Sequence, residues 1–244
     1  MTFDDLIASG WSDHDRDTPG VAARLEQGAG LVSDAGQAAK FTRLVTHAVG
    51  QHLKDWPRAG RICSAVVERF SPDDALAPAL GDLAVAHYLS GQIVPALRTE
   101  ARALAAAGPG AQGALVKIRM LVAEALSAEG RTEEALALYR AALDLSGPPG
   151  AAHGAERTIA VVSNNIASAL LERPARSGEE DEFMTRAAEA ARAFWLKAGD
   201  WRNDERSDYL LALVANARGR PEEAIAFAER GLATIEANGE ERVD

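Results

Sequence analysis

The chain has 244 residues, of which 47% are hydrophobic, enough to bury a substantial core in one elongated unit or in one to two globular domains. Its formal net charge of −10 argues against nucleic acid or an anionic membrane as the main partner, because both need a basic face. A single cysteine, Cys63, excludes an internal disulfide, and its apolar neighbours predict a buried, unreactive thiol.

The beginning of the chain lacks the basic start and the apolar run of a secretion signal. No apolar stretch approaches the roughly 20 residues that a bilayer-spanning helix requires. We therefore expect a cytoplasmic protein.

Short helices are predicted before the repeating part of the chain. Thr2 can cap a first helix over 4–9, and Thr18 with Pro19 favours the start of a second one. These two helices form a predicted N-terminal helical extension over residues 1–33.

The rest of the chain, residues 34–244, is predicted to form a domain of antiparallel helix pairs, because Ala- and Leu-rich helical segments alternate with glycine and proline breaks. The five predicted pairs are 34–70, 73–107, 111–146, 155–197 and 204–238. The first helix of the first pair is expected to run as one α-helix over 34–54. The sequence shows no Val- and Ile-rich alternation of the kind that indicates strands. The predicted fold class is therefore all-α.

A recurring stretch marks the connection inside these pairs. Residues 130–136 read Gly-Arg-Thr-Glu-Glu-Ala-Leu, residues 219–225 read Gly-Arg-Pro-Glu-Glu-Ala-Ile, and a looser copy begins at Gly91. Each copy follows one helical segment and opens the next. Recurring helix pairs of this size are typical of a helical solenoid.

The third pair carries a repeat pattern of large, small, glycine and aromatic positions. Its matching residues are Val122, Ala123, Leu126, Gly130, Ala135, Tyr139, Ala142 and Leu143. The pattern resembles tetratricopeptide repeats (TPR), although Glu100 stands at the aromatic position of the second pair and the spacing exceeds the family period of about 34 residues. The resemblance implies a right-handed α-solenoid of antiparallel helix hairpins, with short N-terminal helices before it.

Small residues recur at one position of the first helix in four pairs. They are Ala84, Ala123, Ala167 and Ala212. Small side chains let the two helices of a hairpin approach closely, and each hairpin leaves an apolar face that the next hairpin covers. We therefore expect all four alanines to be buried between helices.

The resemblance also implies a binding surface, because the first helices of TPR pairs line a concave groove that binds extended peptides. The predicted groove residues are Lys117, Met120, Glu124 and Ser127 in the third pair, Asn164, Asn165 and Ser168 in the fourth, and Arg206, Tyr209, Leu213 and Asn216 in the fifth. Spacings of three and four residues place each set on one helix face.

Two adjacent asparagines inside a helix are poor helix formers, which indicates another constraint on Asn164 and Asn165. The run Asn-Asn-Ile-Ala resembles the Asn-Asn-Leu-Ala run of kinesin light chain repeats. This resemblance implies that an asparagine amide pairs with the main chain of a ligand, while Lys117 and Arg206 attract acidic groups. The alternative is that the asparagines bond neighbouring helices or water.

Catalytic and cofactor motifs are missing from the sequence. It contains no Gly-x-Ser-x-Gly, no Walker loop and no dinucleotide-binding glycine loop after a strand, so no catalytic residue and no cofactor are predicted. We expect a protein that is not an enzyme.

No two histidines form a metal-binding pair if the segments that carry them are α-helical. His47 and His52 are five residues apart and would face different directions, and His87 falls at a packing position, where a hydrogen-bonded core histidine is expected. Asp13-His14-Asp15 could coordinate a cation, but no further ligands are evident locally.

Three functional hypotheses follow. The first is a non-enzymatic module that binds a protein or peptide partner in the groove. The second is a structural assembly protein that forms a homodimer through its terminal hairpins, because nothing after Gly239 resembles a capping helix. The weakest alternative is a metal-dependent enzyme or sensor that uses Asp13, His14 and Asp15.

Overall fold

The computed structural model describes residues 1–148 and 154–239, and within them it contains twelve α-helices and no strand. This confirms the predicted all-α class. The α-helices are α1 (Phe3–Asp13), α2 (Thr18–Gly28), α3 (Ala35–Val45), α4 (Trp56–Val67), α5 (Ala77–Leu89), α6 (Ile93–Ala107), α7 (Ala111–Ala128), α8 (Thr132–Ser146), α9 (Glu156–Leu171), α10 (Gly178–Ala198), α11 (Trp201–Ala217) and α12 (Pro221–Asn238). Short 3₁₀ turns occupy Ala29–Leu31 and Gly108–Gly110, and Thr46–His52 is π-helical.

Each of the five predicted pair ranges corresponds to two helices, although α10 ends one residue after the fourth range and α11 begins three residues before the fifth, and α1 and α2 precede all of them. The chain divides into two compact units, Met1–Val122 and Ala123–Asp244. The predicted boundary between an N-terminal extension and a repeat domain at residue 33 stays a prediction. Residues 149–153 and the segment after Gly239 lie outside the described residues.

The first helix is longer than predicted. Thr2 caps it with a capping box, accepting a hydrogen bond from the Asp5 backbone N–H at 3.2 Å, but the helix continues through Gly10 to Asp13. Gly10 lies inside the helix, and a Cβ atom there would lie 2.5 Å from a methyl group of Leu44. Its missing side chain instead allows α1 to pack closely against α3.

The predicted α-helix over 34–54 is wrong in its second half. The α-helical pattern ends at Val45, and the backbone continues as a π-helix to His52, with the Leu53 N–H donating to the Ala48 carbonyl at 3.2 Å. Gly50 in this segment lies against the buried Trp56, and a Cβ on Gly50 would lie 2.2 Å from the indole ring. The wider π-helical turn therefore accommodates a tryptophan that begins the return helix α4.

In the first unit, α5 packs against α3, α4 and α6, so it is the central helix of that core. Glu100 on α6, which replaces the aromatic residue of the repeat pattern, is buried and accepts hydrogen bonds from Tyr88 Oη at 3.0 Å and from Arg119 Nη2 at 2.9 Å. The guanidinium of Arg119 also lies over the Tyr88 ring, 5.2 Å from its centroid. An ion pair with a buried carboxylate thus stands at the repeat position that carries an aromatic residue, Tyr139, in the third pair.

In the second unit, α9 packs against α10, α11 packs against α12, and α10 also contacts α8 and α11. Tyr139 on α8 is fully buried, its hydroxyl lies 2.6 Å from Ser163 Oγ, and its ring centroid is 5.2 Å from that of Phe183. The aromatic position of the third pair is therefore a packing position between α8, α9 and α10.

The long connection between α9 and α10 is fixed by two arginines. Arg176 donates to the carbonyl oxygens of Leu170 and Leu171 at the end of α9, at 3.2 and 3.1 Å, and pairs with Asp181 at 2.8 Å. Arg173 donates to the Ser127 carbonyl at 2.8 Å. The carbonyls of Leu170 and Ser127 also accept a backbone N–H, from Arg173 and Gly130, so the guanidinium groups add a second hydrogen bond at these two helix ends.

Other predictions about buried positions are confirmed. The four alanines at the small-residue position, Ala84, Ala123, Ala167 and Ala212, are buried. Cys63 is also buried, and burial raises the pKa of its thiol well above the ordinary value, so the thiol stays protonated at neutral pH. No described helix is long and apolar enough to cross a membrane.

Candidate protein-interaction site

The predicted groove residues of α7 are only partly accessible. Lys117, in the first unit, is exposed, and Glu124, in the second, is half-buried. Met120 and Ser127 are buried, so their predicted contact with a ligand is wrong. Met120 lies about 60° around the helix from Lys117, since three residues turn an α-helix by about 300°, and that angle is enough to carry its side chain into the core.

The asparagine run of α9 lies at the surface of the second unit. Asn165 is exposed, while Asn164 and Ser168 are half-buried. The Nδ2 group of Asn165 donates a hydrogen bond to Glu124 Oε1 at 2.8 Å. This contact agrees with the alternative considered from the sequence, in which the asparagines bond neighbouring helices. An amide carries two N–H donors and a carbonyl acceptor, so Asn165 retains bonding capacity for a ligand.

The predicted residues of α11 form one exposed stripe. Arg206, Tyr209, Leu213 and Asn216 are all exposed, with 59% of Tyr209 and 37% of Leu213 accessible. The opposite face of the same helix buries Leu210, Leu211, Val214 and Ala215. α11 contacts α9 as well as α10 and α12, so the exposed residues of α9 and α11 belong to neighbouring helices of one unit. Their role in binding stays a prediction.

A buried carboxylate, which sequence reasoning missed, holds α11 in place. Asp208 is fully buried and accepts hydrogen bonds from Arg192 Nε on α10 at 2.7 Å and from Arg230 Nη2 on α12 at 2.5 Å. Burial alone would raise the pKa of Asp208, but the hydrogen bonds from Arg230 and Arg192 outweigh it and hold this pKa below the ordinary value of 3.8. The sequence does not single out this acid, because charged residues such as Glu205 and Arg206 lie directly before it. This carboxylate joins three helices directly beneath the exposed stripe.

The helix that closes the described part of the second unit, α12, has an apolar outer face. Ile225 and Leu232, seven residues apart, are each 60% exposed, and Gly231 is the only residue of α12 that is buried. Residues seven apart occupy the same side of a helix. Sequence reasoning predicted such a face on a terminal hairpin.

Asp13 was considered as a metal ligand and His87 as a core histidine. Asp13 accepts a hydrogen bond from Arg24 at 2.8 Å and forms an ion pair with it. His87 is half-buried, its Nδ1 lies 3.3 Å from Thr99 Oγ1, and burial lowers its pKa below the ordinary 6.5. His87 is therefore hydrogen-bonded as expected, but it is half-buried and does not lie in the core.

No protein-family model and no curated protein sequence matches the chain. Among solved structures, the chain is similar to BtubC (BKLC) from P. vanneervenii, with 18% sequence identity over 99% of this chain and 94% of that chain and a TM-score of 0.50. It is also similar to a Podosopora anserina structure described as kinesin light chain nearly identical TPR-like repeats, with 16% identity over 83% of this chain and 96% of that chain and a TM-score of 0.42. The first likeness, together with the packing of consecutive helices in pairs, confirms the predicted TPR-like helical-repeat fold.

Proposed function

We propose that the protein is a non-enzymatic interaction module that binds an extended peptide segment of a partner protein along α9 and α11 of the second unit. TPR-like repeat folds commonly mediate protein interactions. The observation that carries the proposal is the exposed stripe of α11, on which Tyr209 and Leu213 lie one turn apart at the surface. A peptide bound along this stripe would bury both side chains together, and burial of apolar surface favours binding.

The residue types of the stripe suit a binding role. Tyrosine and arginine are enriched among residues that dominate binding energy, because both offer a large contact area together with a polar group. We assign Tyr209 and Leu213 to apolar contacts with the peptide. Arg206, with five N–H donors, is assigned to a carboxylate of the peptide in addition to its contacts within the chain.

Asn165 on the neighbouring helix is assigned to the peptide main chain. Its exposed amide is oriented by the hydrogen bond to Glu124, so little side-chain freedom remains to be lost on binding. A main-chain contact of this kind gives affinity without selecting a sequence, whereas Tyr209 and Arg206 would select an apolar residue near an acidic one.

The test is a peptide array of apolar-acidic sequences probed with the full chain, followed by affinity measurement for the strongest peptides. Tyr209→Ala and Arg206→Glu should each weaken binding by about tenfold or more, since central contacts are typically worth 2 kcal/mol or more. Leu196→Glu is the matched control, because Leu196 is 53% exposed on α10 of the same unit, outside the stripe. The proposal would be refuted if Leu196→Glu abolished peptide binding while Tyr209→Ala left it unchanged.

Neither nucleic acid nor an anionic membrane suits the proposed site. The net charge of −10 gives the chain no overall attraction for polyanions. We extend the proposal to a cytoplasmic protein or peptide partner, with no cofactor.

A second candidate function is self-association through α12 to form a homodimer, favoured by the outward side chains of Ile225 and Leu232. Sedimentation over a concentration series would show dimers of the wild type and monomers of Ile225→Glu. A wild type that stays monomeric at high concentration would remove this candidate.

A further inference from the structure

Three histidines that are distant in the sequence meet in the first unit. The ring centroids of His14, His47 and His52 are 4.6 to 5.1 Å apart, and one ring nitrogen from each lies within 4.8 Å of the other two. His14 follows the last residue of α1, whereas His47 and His52 lie in the π-helical segment Thr46–His52. Within the described residues no other group of three metal-binding side chains of this kind is found.

The π-helix explains why the sequence did not predict this cluster. Residues five apart on an α-helix point about 140° away from each other. A π-helix makes its backbone hydrogen bonds between residues five apart, so these residues lie nearly above one another. His47 and His52 are five apart and therefore share one side of the segment, facing His14. The prediction that they face different directions is wrong for this reason.

Hydrogen bonds fix the proton positions of two of the imidazoles. His14 Nδ1 lies 2.7 Å from the Trp11 carbonyl oxygen, and His47 Nδ1 lies 2.7 Å from Gln51 Oε1. Both partners are acceptors, so each Nδ1 carries the proton and donates it. Each Nε2 is then left with the lone pair that binds a metal. A ring N–H held by a carbonyl oxygen is the usual support of a metal-binding histidine.

We propose that His14, His47 and His52 bind a zinc ion, with the Nε2 atoms of His14 and His47 among its ligands. Imidazole nitrogens suit Zn²⁺, whereas Mg²⁺ and Ca²⁺ prefer oxygen. Zinc binds histidine at about 2.0–2.1 Å in tetrahedral geometry, which places ligand nitrogens about 3.3 Å apart, so small rotations of the side chains close the site. His52 is exposed, which leaves the ion a route of entry.

Asp15 lies beside this cluster and supplies a negative charge. Its Oδ1 is 3.5 Å from His14 Nε2 and 3.8 Å from His52 Nδ1, and its side chain is 72% exposed. We assign it as the fourth ligand or as the acceptor for a zinc-bound water. A bound ion would join the end of α1 to the π-helical segment, and would thus fix the N-terminal helix on the rest of the first unit.

The competing account is a stack of neutral aromatic rings, since Trp11 also packs on His14 and His47 with centroids 5.6 and 5.1 Å away. Zinc binding distinguishes the two possibilities. A purely structural stack needs no metal, whereas a metal site binds one zinc ion per chain.

The test uses the full chain, stripped with a chelator, titrated with zinc chloride by calorimetry in the presence of a competing chelator. We expect one zinc ion per chain, a rise of the melting temperature with zinc and none with Mg²⁺. His52→Asn changes an exposed side chain and should weaken zinc binding by at least about tenfold. Gln51→Leu keeps all three histidines and should weaken zinc binding by about 10–100-fold. His87→Asn, which removes a histidine outside the cluster, should bind zinc like the wild type.

Nitrogen NMR of the imidazoles identifies the site directly. Zinc should shift the Nε2 resonances of His14 and His47 while their Nδ1 atoms stay protonated. The proposal is overturned if folded wild type binds no zinc under these conditions. It is equally overturned if His52→Asn and Gln51→Leu, shown to melt like the wild type without metal, bind zinc with unchanged affinity.

Discussion

The side-chain amide of Asn165 on α9 donates a 2.8 Å hydrogen bond to the carboxylate of Glu124 on α7. This bond joins the first helices of two successive pairs at the surface of the second unit. It orients the amide of Asn165, one of two adjacent asparagines that have low helix propensity. Asn165 therefore has a structural role, and the binding role that we propose for it would use the remaining donor and acceptor of the same amide.

Asn165→Leu separates these two roles. The lost hydrogen bond is exposed, so the free energy of unfolding should fall by no more than about 1 kcal/mol. Affinity for a peptide selected on the wild type should fall by about tenfold, because the main-chain contact disappears. Chemical denaturation and fluorescence titration measure the two quantities. A Glu124→Gln control keeps an acceptor for Asn165 and should keep the affinity, and an equal loss in both variants would contradict the assignment.

Asp208→Ala should strongly destabilise the second unit. It leaves Arg192 and Arg230 without their shared buried carboxylate, and because the Arg230 side chain is 48% exposed the loss should cost about 1–3 kcal/mol. Because the folded-state pKa lies below 3.8, the carboxylate stabilises the fold above that pH and loses its effect as the pH falls through the lower folded value. The stability gap between wild type and variant should therefore narrow in acid. A gap that is constant with pH would contradict this account.

Asp82 should show the opposite pH dependence. Burial raises its pKa from 3.8 to about 6, although Arg43 and a 2.9 Å hydrogen bond from Thr42 act to lower it. The folded chain thus keeps a proton that the unfolded chain loses, so stability falls as the pH rises from about 4 to about 6, by up to about 3 kcal/mol. Asp82→Asn keeps the acceptor for Thr42 and should be the more stable protein at pH 7. Its advantage should vanish near pH 4, and urea titrations at both pH values check this.

Gly50→Ala tests the packing of the π-helical segment. The added Cβ would lie 2.2 Å from the Trp56 ring, so the ring or the backbone must move, at a cost of about 1–3 kcal/mol. Gly30→Ala is the matched control, because a Cβ at Gly30 has nothing within 4 Å. A melting temperature that falls equally in both variants would show that the effect comes from the glycine backbone and not from Trp56.

The sequence predicted the helices best where local chemistry sets their ends. A glycine turn and an acidic first turn, at Gly130 and Glu133, mark the start of α8, and the predicted pair range 111–146 agrees with the start of α7 and the end of α8. α11 begins at Trp201, three residues before the predicted start of the fifth pair at 204, because a capping box at Asp200 starts the helix earlier than the apolar pattern does. Caps depend on backbone geometry that periodicity does not reveal.

The sites were less predictable than the fold, because they depend on contacts distant in sequence. Met120 shares its helix with the exposed Lys117 but is buried, since a turn of 60° on a crowded helix decides accessibility. The meeting of His47 with His52 required a π-helix, for which the sequence carries no simple signal. The three-helix contact of Asp208 could not be found without knowing that α10, α11 and α12 pack together.

The most direct test of the proposed function places a photo-crosslinking amino acid at position 209 and, in a second protein, at position 196. Both side chains are more than half exposed in the second unit, so both crosslinkers are accessible. Irradiation in the native cell should give a defined adduct with a partner protein from position 209 and none from position 196. An adduct from position 196 alone, or no adduct from position 209 in a correctly folded protein, would contradict the proposed binding surface on α9 and α11.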